Sequence, residues 1–314
     1  MTLPRLKHNP NLFKGLLDPL IERYHRPAYL DSDPLGIAHE WKDPRDQEIV
    51  AIFSALLAYG NAQIIRRTLR ALFDRFQGTG TRPSEWIKQY EKDPDATLQN
   101  LREEWNGIFY RFNSTGDLVL LFELIARSTL KFGSVGEHFL RFYDPNKPGS
   151  LEESWSAFIE DWSNDARELK RPGLKGFRYL LTSPKDGSAC KRWVMLLRWM
   201  GRRDEIDLGL WMEGGLLVHS RPLCSADLFM PIDTHTGRIT QYIGILKRKQ
   251  YNWKAVLEVT EFFKKLEPND PILYDFALAR LGILDLCQKR YRVEICQTCS
   301  LLPACQFAKK QRAL

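Results

Sequence analysis

The sequence predicts an all-α protein of two domains, and three observations lead to this prediction. Apolar residues recur at steps of three and four along most of the 314 residues, as they do on one face of an amphipathic helix. Strand-like alternation of apolar and polar residues is scarce. The hydrophobic content of 44% supplies a sizeable core, and the chain length favours two domains over one.

The helical pattern is clearest in four segments. In DQEIVAIFSALLAYGNAQIIRRTLRALFDRF, the pair Gly60-Asn61 interrupts two apolar helices. The other three segments are DLVLLFELIARSTLKFG, SWSAFIEDWSNDARELK and WKAVLEVTEFFKKLE. In NDPILYDFALARLG we expect a helix that is capped by Asp270, begins at Pro271 and ends at Gly282.

The lengths of the apolar runs predict the cellular location of the protein. None reaches the ~18 residues that a membrane span needs, and the first residues have no signal-peptide core. We therefore expect a cytoplasmic protein without a membrane partner. Persistent disulfides are rare in that compartment, so clustered cysteines there favour metal binding.

Basic residues are concentrated in two segments of a chain whose net charge is +7. Such local excesses are typical of proteins that bind polyanions, although a solvated basic face without a partner has the same composition. From Cys287 onward Glu294 is the only acid, and between residues 170 and 203 Asp186 is the only acid. The basic residues are Lys170, Arg171, Lys175, Arg178, Lys185, Lys191, Arg192, Arg198, Arg202 and Arg203, then Lys289, Arg290, Arg292, Lys309, Lys310 and Arg312.

Four of the six cysteines lie near the end of the chain, in the pattern C-x8-C-x2-C-x5-C. These are Cys287, Cys296, Cys299 and Cys305. Thiolates are soft ligands that suit an iron–sulfur cluster or zinc, and four on one short segment can surround a single centre. Because zinc with four thiolates usually binds two C-x2-C pairs, the spacing favours a [4Fe–4S] cluster over zinc or free thiols. The isolated Cys190 and Cys224 are expected to be buried and inert.

The cysteine pattern resembles the cluster loop of the endonuclease III and adenine glycosylase branch of the helix-hairpin-helix DNA glycosylases. The loop of that family reads C-x6-C-x2-C-x5-C, so the first gap is two residues longer here. The resemblance implies a structural cluster that presents the basic side chains of the segment to DNA. Those side chains are Lys289, Arg290 and Arg292.

The segment PIDTHTGRI, residues 231–239, is similar to the part of that family that holds its essential carboxylate. The resemblance assigns this role to Asp233. A carboxylate near the sugar can stabilise the positive charge that develops when an N-glycosidic bond breaks. An aspartate before a helix is, taken alone, more often a simple N-cap.

The segment SPKDGSACKRWVMLLRWM, residues 183–200, resembles the family's hairpin and the helix that follows it. The resemblance places Gly187 on the first hairpin glycine and Ala189 on the second. It also implies DNA contacts for Lys185, Ser188 and Arg192. Alanine tolerates positive φ poorly, which weakens the expected phosphate site.

Lys191 takes the place of the catalytic lysine of the bifunctional family members. The positive end of its helix and partial burial both favour the neutral amine, which can attack a sugar C1′ and form a Schiff base. We expect Trp193, Leu196, Leu197 and Met200 to bury this helix. A solvated lysine that binds phosphate is the alternative.

The early helix pair is similar to the family's first two helices, between which a polar residue enters the duplex when a base is flipped. Asn61 or Gln63 would take this part, and Tyr59 would stack on a base. Ordinary packing of two helices explains the same residues.

Between Lys191 and Asp233 the chain carries an insertion, residues 201–229, in which Asp207 is a candidate second carboxylate.

Together the resemblances imply a two-domain helix-hairpin-helix glycosylase fold with a cleft between its domains. A helical barrel would span residues 60–200, and residues 1–59 and 201–314 would form the domain with the [4Fe–4S] loop. The implied function is base excision by a monomer acting on double-stranded DNA with a damaged base, with an AP lyase activity in addition. A non-catalytic DNA- or RNA-binding protein of the same fold is the alternative, and an iron–sulfur redox protein is a weaker one.

Overall fold

The structure is a computed structural model that describes residues 10–79, 81–170 and 174–312. These residues form helices joined by loops and contain no β-strand, which confirms the all-α prediction. The α-helices are α1 (Pro10–Tyr24), α2 (Leu35–His39), α3 (Pro44–Leu56), α4 (Ala62–Thr79), α5 (Pro83–Lys92), α6 (Pro94–Glu104), α7 (Thr115–Phe132), α8 (Val135–Leu140), α9 (Ser150–Glu168), α10 (Leu174–Leu180), α11 (Lys191–Gly201), α12 (Thr234–Tyr242), α13 (Trp253–Leu266), α14 (Asp275–Ile283), α15 (Val293–Cys296) and α16 (Gln306–Arg312).

The chain divides into two compact units. Unit 1 contains residues 1–29, 187–194 and 225–314, and unit 2 contains residues 30–186 and 195–224. The domain boundaries predicted at residues 59–60 and 200–201 stay a prediction. None of the helices in the described part combines the length and the apolar composition that a membrane span requires.

Unit 2 is built around α3, which is buried on nearly all sides. Asp43 caps this helix by accepting a hydrogen bond from the Arg45 N–H at 2.9 Å, and Pro44 stands at its first position. Every residue from Ile49 to Leu56 is buried, as expected for a helical segment that lies in a core. The predicted apolar residues of α3 and α4 are all buried: Ile49, Ile52, Phe53, Leu56, Leu57, Ile65, Leu69, Leu72 and Phe73.

Unit 1 brings the two ends of the chain together. Helix α1 packs on α13 and α14, and α14 packs on α12. The N-terminus of α12 follows Asp233, and the segment that follows α14 carries the four clustered cysteines. We call residues 287–305 the cysteine loop.

The helix predicted at Pro271 begins later than expected. Residues 271–274 form turns, and α14 begins at Asp275 and runs one residue past Gly282. The turns use the Asp270 carbonyl, which accepts from the Leu273 N–H at 3.1 Å. The predicted cap at Asp270 is therefore wrong, because residues 270–273 form a four-residue turn and the N-cap position of α14 is Tyr274.

The burial predicted for α11 is confirmed. Trp193, Leu196, Leu197 and Met200 are all fully buried. Lys191 is the first residue of this helix and is partly exposed. Because the apolar stripe of α11 is packed in the core, the helix holds the backbone of Lys191 in a fixed position.

Candidate functional site

Lys191 and Asp233 form an ion pair in unit 1. The Lys191 Nζ lies 2.9 Å from the Asp233 Oδ2, although the two residues are 42 positions apart in the chain. The Lys191 side chain is 36% exposed and that of Asp233 is 21% exposed, so solvent reaches both. The two residues that were predicted as catalytic are thus brought into direct contact.

Asp233 is both a helix cap and a partner for lysine. Its Oδ1 accepts from the backbone N–H groups of His235 at 2.8 Å and Thr236 at 2.9 Å, and Oδ2 faces Lys191. Burial by itself raises the pKa of Asp233, but the nearby Lys191 ammonium, its hydrogen bond and the Thr236 N–H outweigh burial and hold the pKa below its ordinary value. One oxygen of the Asp233 carboxylate therefore caps α12, and the other contacts the proposed nucleophile Lys191.

Two glycines allow close packing between α12 and its neighbours. A Cβ added at Gly282 of α14 would lie 2.4 Å from the His235 ring. A Cβ added at Gly237 would lie 2.7 Å from the Tyr251 ring, whose hydroxyl donates to the Gln241 Oε1 at 3.0 Å. Sequence reasoning missed these supports, since each pairs residues that no local pattern connects.

Arg238 joins α12 to the cysteine loop. Its Nη2 donates to the carbonyl oxygen of Cys287 at 2.8 Å and lies 3.4 Å from the His235 Nδ1. The arginine was part of the motif PIDTHTGRI, but the sequence assigned it no task. Its side chain connects the helix that carries Asp233 at its start with the first of the four cysteines.

The hairpin before α11 is tied to α13. The Trp253 N–H donates to the Gly187 carbonyl at 3.0 Å, and Ser188 pairs with Asn252 in an isolated antiparallel bridge. Gly187 has φ +71°, and an added Cβ would meet open space, so its need for glycine is conformational.

Positive φ occurs in the hairpin at Cys190 (φ +46°) and not at Ala189. Alanine is therefore unstrained at the position of the second hairpin glycine. The Ser188 hydroxyl accepts from the Cys190 N–H at 3.3 Å and lies 3.2 Å from its Sγ, which braces the turn. Cys190 is buried, as predicted, whereas the expectation of burial for Cys224 is wrong because that residue is exposed.

The predicted DNA contacts around the hairpin divide by exposure. Lys185, Gly187 and Ser188 are exposed. Arg192 is only 8% exposed, so little of its side chain could reach a phosphate. This departs from its predicted DNA contact, and the reason is that the helical face shared with the apolar stripe turns it inward.

The basic residues of the cysteine loop also divide. Lys289 and Arg290 are exposed. Arg292 instead braces the loop, since its Nη2 donates to the carbonyl of Asp285 and, at 3.4 Å, to that of Leu286. Two of the three predicted side chains thus face solvent.

Asn61 and Gln63 are exposed in unit 2. The Asn61 Oδ1 accepts from the N–H groups of Gln63 at 2.9 Å and Ile64 at 3.2 Å, which is the bonding of a helix cap at the start of α4. The role of these residues in base flipping stays a prediction.

All four clustered cysteines line one cavity of about 320 Å³ in unit 1. Burial raises the pKa of Cys287 to about 11, and the neighbouring thiols of the other three act on it in the same direction. The sulfurs accept backbone hydrogen bonds: the Arg292 N–H donates to the Cys296 Sγ, and the Ala308 N–H to the Cys305 Sγ, both at 3.4 Å. Aromatic rings of Tyr242 and Phe307 stack at 4.4 Å beside the cavity.

No three His, Cys, Asp or Glu side chains of the described residues are arranged to hold a single metal ion. The cavity has many times the 10–15 Å³ that one water molecule needs. That the four sulfurs around this space ligate an inorganic cluster stays a prediction.

Comparison with known families matches residues 33–284 to one described as "Protein of unknown function (DUF2400)". The chain belongs to this family. Comparisons with curated proteins and with solved structures gave no match. The matched region contains both Lys191 and Asp233 and ends before Cys287, so the cysteine loop lies outside the matched residues.

Within the DUF2400 region, Asp207 is buried in an ion-pair network. Its Oδ1 accepts from Nε and Nη2 of Arg198, both at 3.0 Å, and its Oδ2 accepts from Arg202 at 3.1 Å. A buried carboxylate that is paired with two guanidinium groups anchors the insertion at residues 201–229 to α11. Two arginines of the predicted basic segment are thereby used inside the protein, and Arg171 of that segment lies outside the described residues.

Proposed function

We propose that the protein is a DNA glycosylase with an additional AP lyase activity, acting on a damaged base flipped out of double-stranded DNA. The observation that carries the proposal is the 2.9 Å contact between the Lys191 Nζ and the Asp233 Oδ2. An amine and a carboxylate in contact, both reached by solvent, are the two groups that cleavage of an N-glycosidic bond through a Schiff base requires.

In the proposed reaction Lys191 gives a proton to Asp233 and becomes the free amine. Its nitrogen attacks the sugar C1′, the N-glycosidic bond breaks, and the base leaves with the electron pair of that bond. The departing base takes up a proton from the attacking nitrogen. The C1′–O4′ bond then breaks as the nitrogen forms the C=N bond of a Schiff base, and O4′ keeps the electron pair of the broken bond and takes up the proton that Asp233 had received. While it is ionised, Asp233 stabilises the positive charge that develops on the sugar.

We propose further that Cys287, Cys296, Cys299 and Cys305 ligate a [4Fe–4S] cluster, with zinc as the less favoured occupant. Support comes from the common cavity and from the N–H groups directed at two of the sulfurs. When bound, the cluster would brace the loop that exposes Lys289 and Arg290. Iron and sulfide analysis of anaerobically purified protein, with visible absorption, separates it from zinc.

The finer fold assignment is also a proposal: α10, the turn that holds Gly187, and α11 form the helix-hairpin-helix element. Its exposed Ser188 would contact a phosphate of the duplex. A monomer in the cytoplasm, where thiols stay reduced, suits six free cysteines.

Base release from a panel of oxidised, alkylated and deaminated duplexes tests the function. Asp233→Asn keeps a side chain that can cap α12 but removes the charge, and we expect at least about a hundredfold slower release. Asp43→Asn is the matched control, because Asp43 also caps a helix and pairs with an arginine, Arg82, at 3.0 Å. Release that is unchanged in Asp233→Asn contradicts the proposal.

The alternative is a non-catalytic nucleic-acid-binding protein. It is favoured by the closed ion pair, in which the lysine and the carboxylate neutralise each other. Under this alternative no duplex of the panel loses a base, while binding weakens steeply with salt.

A further inference from the structure

Unit 2 exposes two large aromatic side chains that contact each other. Phe112 is 56% exposed and Tyr179 is 43% exposed, and their ring centroids are 5.1 Å apart. Single exposed apolar residues are ordinary on protein surfaces, but a contiguous group marks an interaction site. We call Tyr59, Phe112 and Tyr179, with Arg111, the aromatic platform.

Three rings of the aromatic platform are in mutual contact. The rings of Tyr59 and Phe112 are parallel within 4°, with centroids 6.3 Å apart. Tyr179 meets both edge-on, at 5.0 Å from Tyr59 and 5.1 Å from Phe112. The rings therefore have fixed orientations relative to one another while much of Phe112 and Tyr179 faces solvent.

Buried polar groups hold the platform in place. Asn113 is fully buried, and its Nδ2 donates to the Gly176 carbonyl in α10 at 2.9 Å, while its Oδ1 accepts from the Tyr59 hydroxyl. Tyr110, which is 2% exposed, donates from its hydroxyl to the Tyr59 carbonyl. Because the backbone under the rings is already fixed, the protein loses little conformational entropy when a partner binds to them.

Arg111 lies over the platform in a backbone conformation that is rare for arginine. Its φ is +53°, and its guanidinium carbon is 5.8 Å from the ring centroids of both Tyr59 and Phe112. Gly60 makes room for it, since an added Cβ would lie 2.9 Å from the Arg111 Nη1. A strained residue that presents a cation beside exposed rings points to a functional surface.

The chain segments that form the platform carry basic but no acidic side chains, and the neighbouring carboxylate of Asp117, which accepts from the Phe177 N–H at 2.8 Å, is buried. The segments 59–63, 106–113 and 176–180 contain only two charged residues, Arg111 and Arg178, and no carboxylate. Exposed rings with adjacent guanidinium groups are complementary to a nucleotide, because the rings stack on the base and the cations attract the phosphate.

We propose that the aromatic platform stacks on unpaired bases of a DNA strand, so that the protein binds single-stranded or looped DNA through unit 2. The choice of DNA rests on the proposed function, but the stacking needs no chemistry at Lys191 and Asp233. Since every base has a π-face, this binding is tolerant of sequence and does not require a lesion. It would select substrates whose bases are already unpaired.

The test measures the affinity of the full chain for a fluorescein-labelled oligo(dT) strand by anisotropy. The double variant Phe112→Leu/Tyr179→Leu keeps apolar side chains at both positions and removes their π-faces. Stacking contributes about 1–3 kcal/mol per base, so we expect binding to weaken about tenfold or more. Phe142→Ala is the matched control: Phe142 is 57% exposed in the same unit, and Arg141 lies 4.5 Å over its ring.

Salt dependence separates the rings from the cation. The leucine variant should leave the slope of log affinity against log salt unchanged, because the rings neutralise no phosphate. Arg111→Gly, which suits the positive φ, should make that slope less steep by about 0.7. A 2-aminopurine base in the strand should be quenched by the wild type and less by the leucine variant.

Retained affinity in the leucine variant overturns the proposal, as does an equal loss in Phe142→Ala. A change from dimer to monomer in the leucine variant also overturns it, because the rings would then bind a second copy of the chain. If oligo(dT) binding depends on the platform but no duplex loses a base, the platform stands and the glycosylase proposal fails. If Asp233→Asn abolishes base release and the platform variants bind oligo(dT) normally, the glycosylase proposal stands and the platform proposal fails.

Discussion

Arg238 donates a hydrogen bond from Nη2 to the carbonyl oxygen of Cys287 across 2.8 Å. Arg238 lies in α12, whose N-cap is Asp233, and Cys287 opens the cysteine loop. One side chain therefore links the helix of the proposed catalytic carboxylate to the proposed cluster ligands. We therefore expect a displacement of the cysteine loop to move α12 as well, because this hydrogen bond connects them.

Replacing Arg238 by Met should weaken cluster retention, because a charged donor to the backbone beside a ligand is lost. Partners of this kind are worth about 10- to 100-fold in metal affinity. We expect less iron per chain after dialysis against a chelator and slower base release. Lys289→Met, which removes an exposed basic side chain of the same loop, is the control and should keep its iron. Equal iron content in all three proteins would contradict the role of Arg238.

Replacing Gly282 by Ala should displace His235, because the new Cβ would lie 2.4 Å from its ring. The expected cost is about 1–3 kcal/mol of unfolding free energy, measured in urea, with a loss of base release as the start of α12 moves. Gly15→Ala is the control, since nothing lies within 4 Å of its added Cβ and the helix α1 should be unharmed. Full stability of Gly282→Ala would show that α12 and α14 are not tightly packed here.

The pH dependence of stability should reflect Asp233. Burial raises its pKa, but the Lys191 ammonium and the hydrogen bonds to the carboxylate lower it further, so the net folded-state pKa is depressed. Its contribution, about 1 kcal/mol for a partly exposed pair, is then complete above the unfolded value of about 4 and is lost as the pH falls through the folded value. The difference in unfolding free energy between wild type and Asp233→Asn should therefore be larger at pH 7 than at pH 2.5. A difference that does not change with pH would exclude the depressed pKa.

Asp207→Asn should destabilise the protein without affecting the reaction. The substitution leaves the buried guanidinium groups of Arg198 and Arg202 without a full negative charge, at a cost of about 3–5 kcal/mol. Glu205→Gln, at an exposed position of the same insertion, is the control. Base release per folded molecule should match the wild type below the melting temperature. A specific loss of release would instead make Asp207 a second functional carboxylate.

The helices were predictable where the local pattern alone decides them. The apolar stripes of α3, α4 and α11 are buried as the periodicity predicted. The start of α14 was not, because Pro271 and Asp270 suit a turn as well as a helix start. Local signals of this kind leave the boundary open.

The site was predictable only in part, since its supports are tertiary. Residues resembling a family motif identified Lys191 and Asp233, and the structure places them in contact. The burial of Arg192 and the bracing role of Arg292 depend on neighbours distant in sequence. For the same reason no local pattern reveals that Gly282 makes room for His235.

The most direct test of the proposed chemistry is covalent trapping with borohydride on duplex DNA that contains an abasic or oxidised site. Reduction fixes a Schiff base as a stable bond between protein and DNA, visible as a shifted band in a denaturing gel. Lys191→Arg keeps the positive charge facing Asp233 but has no amine to react, and Lys185→Arg is the exposed control. We predict trapping by the wild type and Lys185→Arg and none by Lys191→Arg; equal trapping by Lys191→Arg, or none by the wild type, would contradict the assignment of Lys191 as the nucleophile.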